Sequence, residues 1–188
     1  MKRRTFLFGF AATALLIRPW RFTLAKDSPP QPSLVDIQNH WHALLAPNAD
    51  VATSNAPLKH SAEEWRKLLA PQQYAVLREE DTERPFTSPL NHEKRPGVFV
   101  CAGCALPLFT SAMKFDSGTG WPSFFTTIPD VFATKTDLHL IYPRTEYHCI
   151  KCGGHHGHVF DDGPPPTGQR WCNNGVVLRF IPQNTQPD

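Results

Sequence analysis

The sequence contains no apolar run long enough to cross a bilayer: the longest, Phe6 to Ile17, is about 12 residues, where a spanning helix needs roughly 20. It also has no acidic residue in positions 1–25, which carry five basic ones (Lys2, Arg3, Arg4, Arg18 and Arg21). The formal net charge of +2 is therefore misleading, because the rest of the chain holds 14 Lys/Arg against 17 Asp/Glu, formally −3. A mildly acidic body lacks the basic surplus that would neutralise phosphates, so nucleic-acid binding through a basic surface is excluded. No internal repeat occurs beyond two short cysteine pairs. What remains is a 188-residue chain, 40% apolar and 11% aromatic, with room for one ordinary core. Its 19 prolines suit a loop-rich, mainly β domain.

The basic, acid-free start followed by a short apolar stretch reads as an export leader. Arg3-Arg4-Thr5-Phe6-Leu7 has the twin-arginine form, and the small residues around Thr23-Leu24-Ala25 offer a cleavage point, giving a signal at 1–25. The alternative is an uncleaved membrane anchor, with Arg18 and Arg21 before the cleavage point. Either way the domain is expected outside the cytoplasm, periplasmic or otherwise exported, with no stable membrane insertion after cleavage. Export in the folded state suits a domain that must load metal onto reduced cysteines before reaching an oxidising compartment.

Residues 26–60 are rich in Pro, Ser and Asn, yet Leu34, Ile37, Trp41, Leu44 and Leu45 recur at helical spacing behind a capping Ser33 with Asp36 three residues on. This predicts a linker with one short helix. A second helix starts at the capping-box pattern Ser61-Ala62-Glu63-Glu64 and runs through Leu69; a third covers Gln72 to Arg78, with Pro71 in its first turn. From Gly97 short β-rich runs follow: 98–100, 138–142, 146–148, 158–160 and 176–181. The layout is a helical extension on an antiparallel β domain, 61–182, with a tail at 183–188.

Two Cys-x-x-Cys pairs, Cys101/Cys104 and Cys149/Cys152, stand 44 residues apart, and a fifth cysteine, Cys172, is left over. Four thiolates so spaced suit one tetrahedral structural Zn2+ with no open position, clipping distant segments together. Closing so long a loop makes metal-binding energy into folding energy. The alternatives are two disulfides, or a catalytic zinc; the latter lacks a position for water.

Cys172 lies in Arg170-Trp171-Cys172-Asn173-Asn174-Gly175, downstream of His155-His156-Gly157-His158-Val159-Phe160 and of a glycine-flanked tryptophan in Gly120-Trp121-Pro122-Ser123-Phe124. From residue chemistry alone these are a candidate nucleophile, two candidate proton donors and an aromatic surface. Cys172 and Trp121 as packing residues, and His155 with His158 as metal ligands, are the competing readings.

Together with Pro71-Gln72-Gln73-Tyr74-Ala75-Val76-Leu77-Arg78, Thr82-Glu83-Arg84-Pro85-Phe86-Thr87 and both cysteine pairs, these segments, in this order, resemble the methionine-R-sulfoxide reductase B family over about residues 61–182. The resemblance implies antiparallel β-sheets in a barrel or tent-like domain with a structural zinc. It implies Cys172 as nucleophile, passing to a sulfenic acid as methionine leaves. It also implies His158 and His155 to position and protonate the sulfoxide oxygen, Asn174 to orient the site, Arg170 to favour the thiolate, and Trp121 with Phe124 to receive the substrate's methylthio end. The substrate would be methionine-R-sulfoxide, free or in oxidised exported proteins, which makes the expected role protein repair under oxidative stress.

One departure matters most. Many members carry a resolving cysteine where this chain has Thr119, so the resemblance implies regeneration by an external reductant, a thioredoxin-like protein or a small thiol. Milder departures are Trp171, His156, Asp161, Asn173 and Gly175-Val176-Val177. The rival expectation is a zinc-stabilised binding module of the same fold, without catalysis, using the surface around Trp121. Disulfide exchange by a Cys-x-x-Cys pair is a third.

Overall fold

A computed structural model describes residues 32–138 and 143–183. The expected signal at 1–25, most of the expected strand 138–142 and nearly all of the 183–188 tail lie outside the described residues. Among the described residues no helix is long and apolar enough to cross a membrane.

Among the described residues three short α-helices come first, each begun by the chemistry its sequence carries. In α1 (Leu34–Asn39) and α2 (Ala62–Leu68) the serine before the helix accepts the third residue's N–H, and that residue's carboxylate accepts the serine N–H: Ser33 with Asp36, Ser61 with Glu64. α3 (Pro71–Glu79) starts on proline and stops at Glu80, which takes a left-handed conformation, φ 59°. The single helix expected over Leu34 to Leu45 tightens into a 3-10 turn at His40–Leu44.

Nine strands follow among the described residues: β1 Gly97–Cys101, β2 Pro107–Thr110, β3 Lys114–Phe115, β4 Ser123–Phe124, β5 Phe132–Asp137, β6 Arg144–Cys149, β7 His155–Phe160, β8 Arg170–Asn173 and β9 Leu178–Pro182. They form two antiparallel sheets, ordered β2-β1-β9 and β3-β4-β8-β7-β6-β5. Neither closes into a barrel. β1, buried along its whole length, is the centre of the first sheet, as its unbroken apolar sequence requires. The core lies between the sheets, where Phe109 and Phe124 stack at 4.0 Å and Phe99 meets Phe124 edge-on at 5.1 Å. Such pairs contribute about 0.5–1.5 kcal/mol beyond burial alone.

The segment read as a linker is fastened to the domain from Pro32 onward. Gln38 Nε2 donates to Thr126 Oγ1 at 2.8 Å, Ala52 N–H to the Ala105 carbonyl at 2.9 Å, and Leu58 N–H to the Lys151 carbonyl at 2.6 Å. α3 lies over the cysteine pairs: Leu77 packs so closely on Gly154 that a Cβ there would fall 2.6 Å from it, and Arg78 Nη1 donates to the Cys152 carbonyl at 2.7 Å.

Candidate active site and metal centre

Cys101, Cys104, Cys149 and Cys152 converge from the β1 and β6 ends, their four sulfurs all within 4.8 Å of one another. Cys101 and Cys152 sulfurs are 3.6 Å apart and Cys104 and Cys149 sulfurs 3.5 Å, well beyond a disulfide bond. A tetrahedron of Zn–S bonds of roughly 2.3 Å places sulfurs about 3.8 Å apart, so the donor set fits a zinc ion in size and softness. Cys101, Cys149 and Cys152 are buried. Four sulfurs gathered in so little volume form a cluster that could hold a metal ion such as zinc.

Cys172 stands apart, half-buried on β8. Register explains its neighbours: Ser123, Cys172, His158, Glu146 and Lys135 are successive direct partners across β4, β8, β7, β6 and β5. Directly opposed residues share a face, so this row projects on one side of the sheet. At its middle, Cys172 and His158 line a cavity of about 110 Å³ with Thr82, Trp121, Arg144, Asn173 and Asn174. β7 and β8 approach closely because position 157 is glycine; a Cβ there would lie 1.9 Å from the Cys172 carbonyl oxygen.

Each ring and amide at the cavity is held from behind. The Trp121 indole N–H donates to the Glu83 carbonyl at 3.1 Å. Asn174 accepts the Glu83 N–H at 3.0 Å and donates to the His156 carbonyl at 3.1 Å. Glu83 itself, only 4% exposed, uses both carboxylate oxygens to accept the N–H groups of Gly175 (2.6 Å) and Val176 (2.8 Å). Burial raises its pKa while these two bonds pull it back. The buried Tyr147 hydroxyl lies 2.9 Å from Asn173 Oδ1 and 3.1 Å from the Cys172 carbonyl, tying β6 to β8.

The titrating groups are biased toward their neutral forms. Burial pushes the Cys172 thiol up, opposed by the Arg170 charge and a hydrogen bond with Thr119. Burial pushes His158 down, against its hydrogen bond with Asp137. His158 Nε2 donates to Asp137 Oδ2 at 2.8 Å, which leaves Nδ1 as the nitrogen able to take a proton. Arg170 forks onto Asp162 through Nε (2.7 Å) and Nη2 (2.9 Å) and lies over the Phe160 ring, reaching Cys172 through its field.

Two expected site residues are placed elsewhere. Phe124 is fully buried against Phe109 and does not line the cavity, because neighbouring residues of a strand point to opposite faces and Ser123 takes the one shared with Cys172. His155 is 2% exposed, outside the cavity, against Glu146. It nevertheless shares a face with His158, their rings 5.6 Å apart. Three-residue spacing in a regular strand would put them on opposite faces; a bulge pairs Tyr147 with Gly157 and His148 with His155, leaving His156 as the extra residue.

Sequence reasoning missed Glu83, Asp137 and Tyr147. Glu83 lies in Thr82-Glu83-Arg84-Pro85-Phe86-Thr87, but the preceding Glu79-Glu80-Asp81 gives it the look of a solvated acidic stretch. Asp137 ends a strand too polar to be recognised.

The SelR domain matches residues 69–182. A peptide methionine sulfoxide reductase MsrB of Methanosarcina barkeri is 51% identical over 124 residues, covering 65% of this chain and 87% of its own. One from Pseudomonas putida is 53% identical over 124 residues, covering 65% and 92%. One from Bradyrhizobium diazoefficiens is 49% identical over 140 residues, covering 73% and 99%. A domain matched from α3 to β9, with its cysteine cluster and its Cys172 cavity inside the matched span, belongs to the SelR family of methionine-R-sulfoxide reductase B proteins.

Proposed function

We propose that this chain reduces methionine-R-sulfoxide to methionine with Cys172 as the nucleophile. The observation that carries the reading is one cavity shared by Cys172, His158 and Trp121. A thiol kept protonated beside a neutral imidazole is a sound resting state. As Cys172 attacks the sulfoxide sulfur, His158 Nδ1 takes the thiol proton and hands it to the oxygen, which alone is a poor leaving group. Transfer of that oxygen to Cys172 gives a sulfenic acid and releases methionine. Trp121 offers an apolar wall to the methylthio end, Asn174 keeps the cavity's shape, and Arg170 stabilises the thiolate as it forms. His155 supports the strand pair from behind His158.

Regeneration is assigned to an external thiol. One equivalent condenses with the sulfenic acid, releasing water and leaving a mixed disulfide; a second reduces that disulfide and restores the thiol. Thr119, with a hydroxyl where a resolving sulfur would sit, and four cysteines gathered in their own cluster support this route. A thioredoxin-like protein or a small thiol fits the need. The cluster is assigned one structural Zn2+, held by Cys101, Cys104, Cys149 and Cys152, which braces β1 against β6 without taking part in the reaction. The twin-arginine start supports export, with oxidised exported proteins or free methionine sulfoxide as substrates.

The test is a diastereomer-resolved assay driven by dithiothreitol. Cys172→Ser is expected to keep its fold and metal and to lose R-sulfoxide reduction. Full activity in that variant would sink the mechanism and leave the non-catalytic binding module as the better reading.

A further inference from the structure

Behind the cavity, the bulge in β7 gathers three ligating side chains that the reaction does not use directly. Glu146 and His148, two residues apart on β6, share a face, and His155 is the direct partner of His148. Glu146 Oε1 lies 2.9 Å from His148 Nε2 and also meets His155 Nδ1. Yet each of these three atoms is buried and none makes a well-aligned hydrogen bond. His155 and Glu146 are each only 2% exposed. Buried polar atoms left without aligned partners are rare, and three of them pointing at one another leave a site that lacks its centre.

The tautomers sharpen the point. His148 Nδ1 lies 3.4 Å from the Gly153 carbonyl, which can only accept, so the proton belongs on Nδ1. With the proton on Nδ1, Nε2 turns a lone pair toward the Glu146 carboxylate 2.9 Å away, the orientation a metal-binding imidazole takes. An imidazole whose second nitrogen donates to a backbone carbonyl is also how metal-bound histidines are oriented. Lys135, 3.3 Å from Glu146 Oε2, opposes a cation, but it is already paired with Glu80 at 2.6 Å.

We infer that Glu146, His148 and His155 form a second metal site, distinct from the four-cysteine centre, for a divalent transition cation of the Zn2+ class. The three donor atoms lie within 4.8 Å of one another, on the scale of ligands that surround one ion at roughly 2.0–2.2 Å. Two imidazoles and one carboxylate suit zinc, cobalt, nickel or copper and disfavour calcium and magnesium. His148, partly exposed, is the door. The ion would hold β6 and β7 together beside His158.

Co2+ titrated into the full chain, with its four-cysteine centre already filled by zinc, tests this. The expected result is one further equivalent bound, with the weak visible bands of nitrogen and oxygen ligation and without sulfur charge-transfer bands. His148→Ala and Glu146→Gln are each expected to lose that equivalent and to retain one zinc. A wild-type protein that takes up no second equivalent overturns the inference, and so does a second equivalent that survives both substitutions. The readout is metal content and spectrum, so it stands or falls apart from sulfoxide reduction.

Discussion

Replacing Glu83 by Gln probes how the cavity is held without touching the reacting atoms. Each carboxylate oxygen accepts one backbone N–H, from Gly175 at 2.6 Å and Val176 at 2.8 Å. Charge-assisted bonds of this kind contribute about 1.5–3 kcal/mol each. Glutamine keeps one acceptor and turns an NH2 group toward the other N–H, so one bond is lost and a buried donor is left facing a donor. Against this, the neutral amide avoids the burial cost that raises the Glu83 pKa. The balance is a loss of about 1–3 kcal/mol, or roughly 3–10 °C in Tm for a domain of this size. Because the Gly175-Val176 turn follows Asn174, and the Glu83 main chain holds both Asn174 and Trp121, kcat/KM for methionine-R-sulfoxide should fall as well. Thermal melts and steady-state assays on E83Q, with E83A as the more severe variant, measure both effects. E83Q matching the wild type in Tm and kcat/KM would refute the positioning argument.

Gly157→Ala should separate β7 from β8, since its Cβ would sit 1.9 Å from the Cys172 carbonyl oxygen; a loss of about 3 kcal/mol or more, seen in denaturant melts, should accompany loss of activity. With zinc in the four-cysteine cluster as proposed, Cys152→Ser should lower zinc content, checked by elemental analysis, and cut Tm by at least about 10 °C, because it removes one donor of the site between the β1 and β6 ends. His156 is fully buried and pushed down to about 4, chiefly by burial. Its unfolded form binds the proton first, so stability is whole above about pH 6.5 and drains as pH falls toward 4, by at most roughly 3 kcal/mol. His156→Leu should therefore lose less stability than wild type between pH 7.5 and pH 5, measured by urea unfolding at each pH.

The local elements were legible where the chemistry is local. Ser33 with Asp36, Ser61 with Glu64, and Pro71 announce three helix starts, and the apolar run through β1 announces a buried strand. β5 was not legible, because Phe132-Ala133-Thr134-Lys135-Thr136-Asp137 is an edge strand facing water over most of its length, with the composition of a loop. The 3-10 turn at His40–Leu44 carries the same apolar spacing as a helix and differs only in how it is pinned to the domain.

By itself the sequence singled out the candidates for chemistry: four cysteines in two pairs suited to a metal, and one left over beside histidines and a tryptophan. Residue type and short-range spacing carry that information directly. Only the tertiary structure decided which of those residues meet. Strand register sets His158 opposite Cys172, whereas side-chain alternation sends Phe124 into the core. The bulge at His156 turns His155 to the same face as His158 but leaves it against Glu146, outside the cavity. A one-residue change in register reverses every side chain in a strand, and no local pattern records that choice.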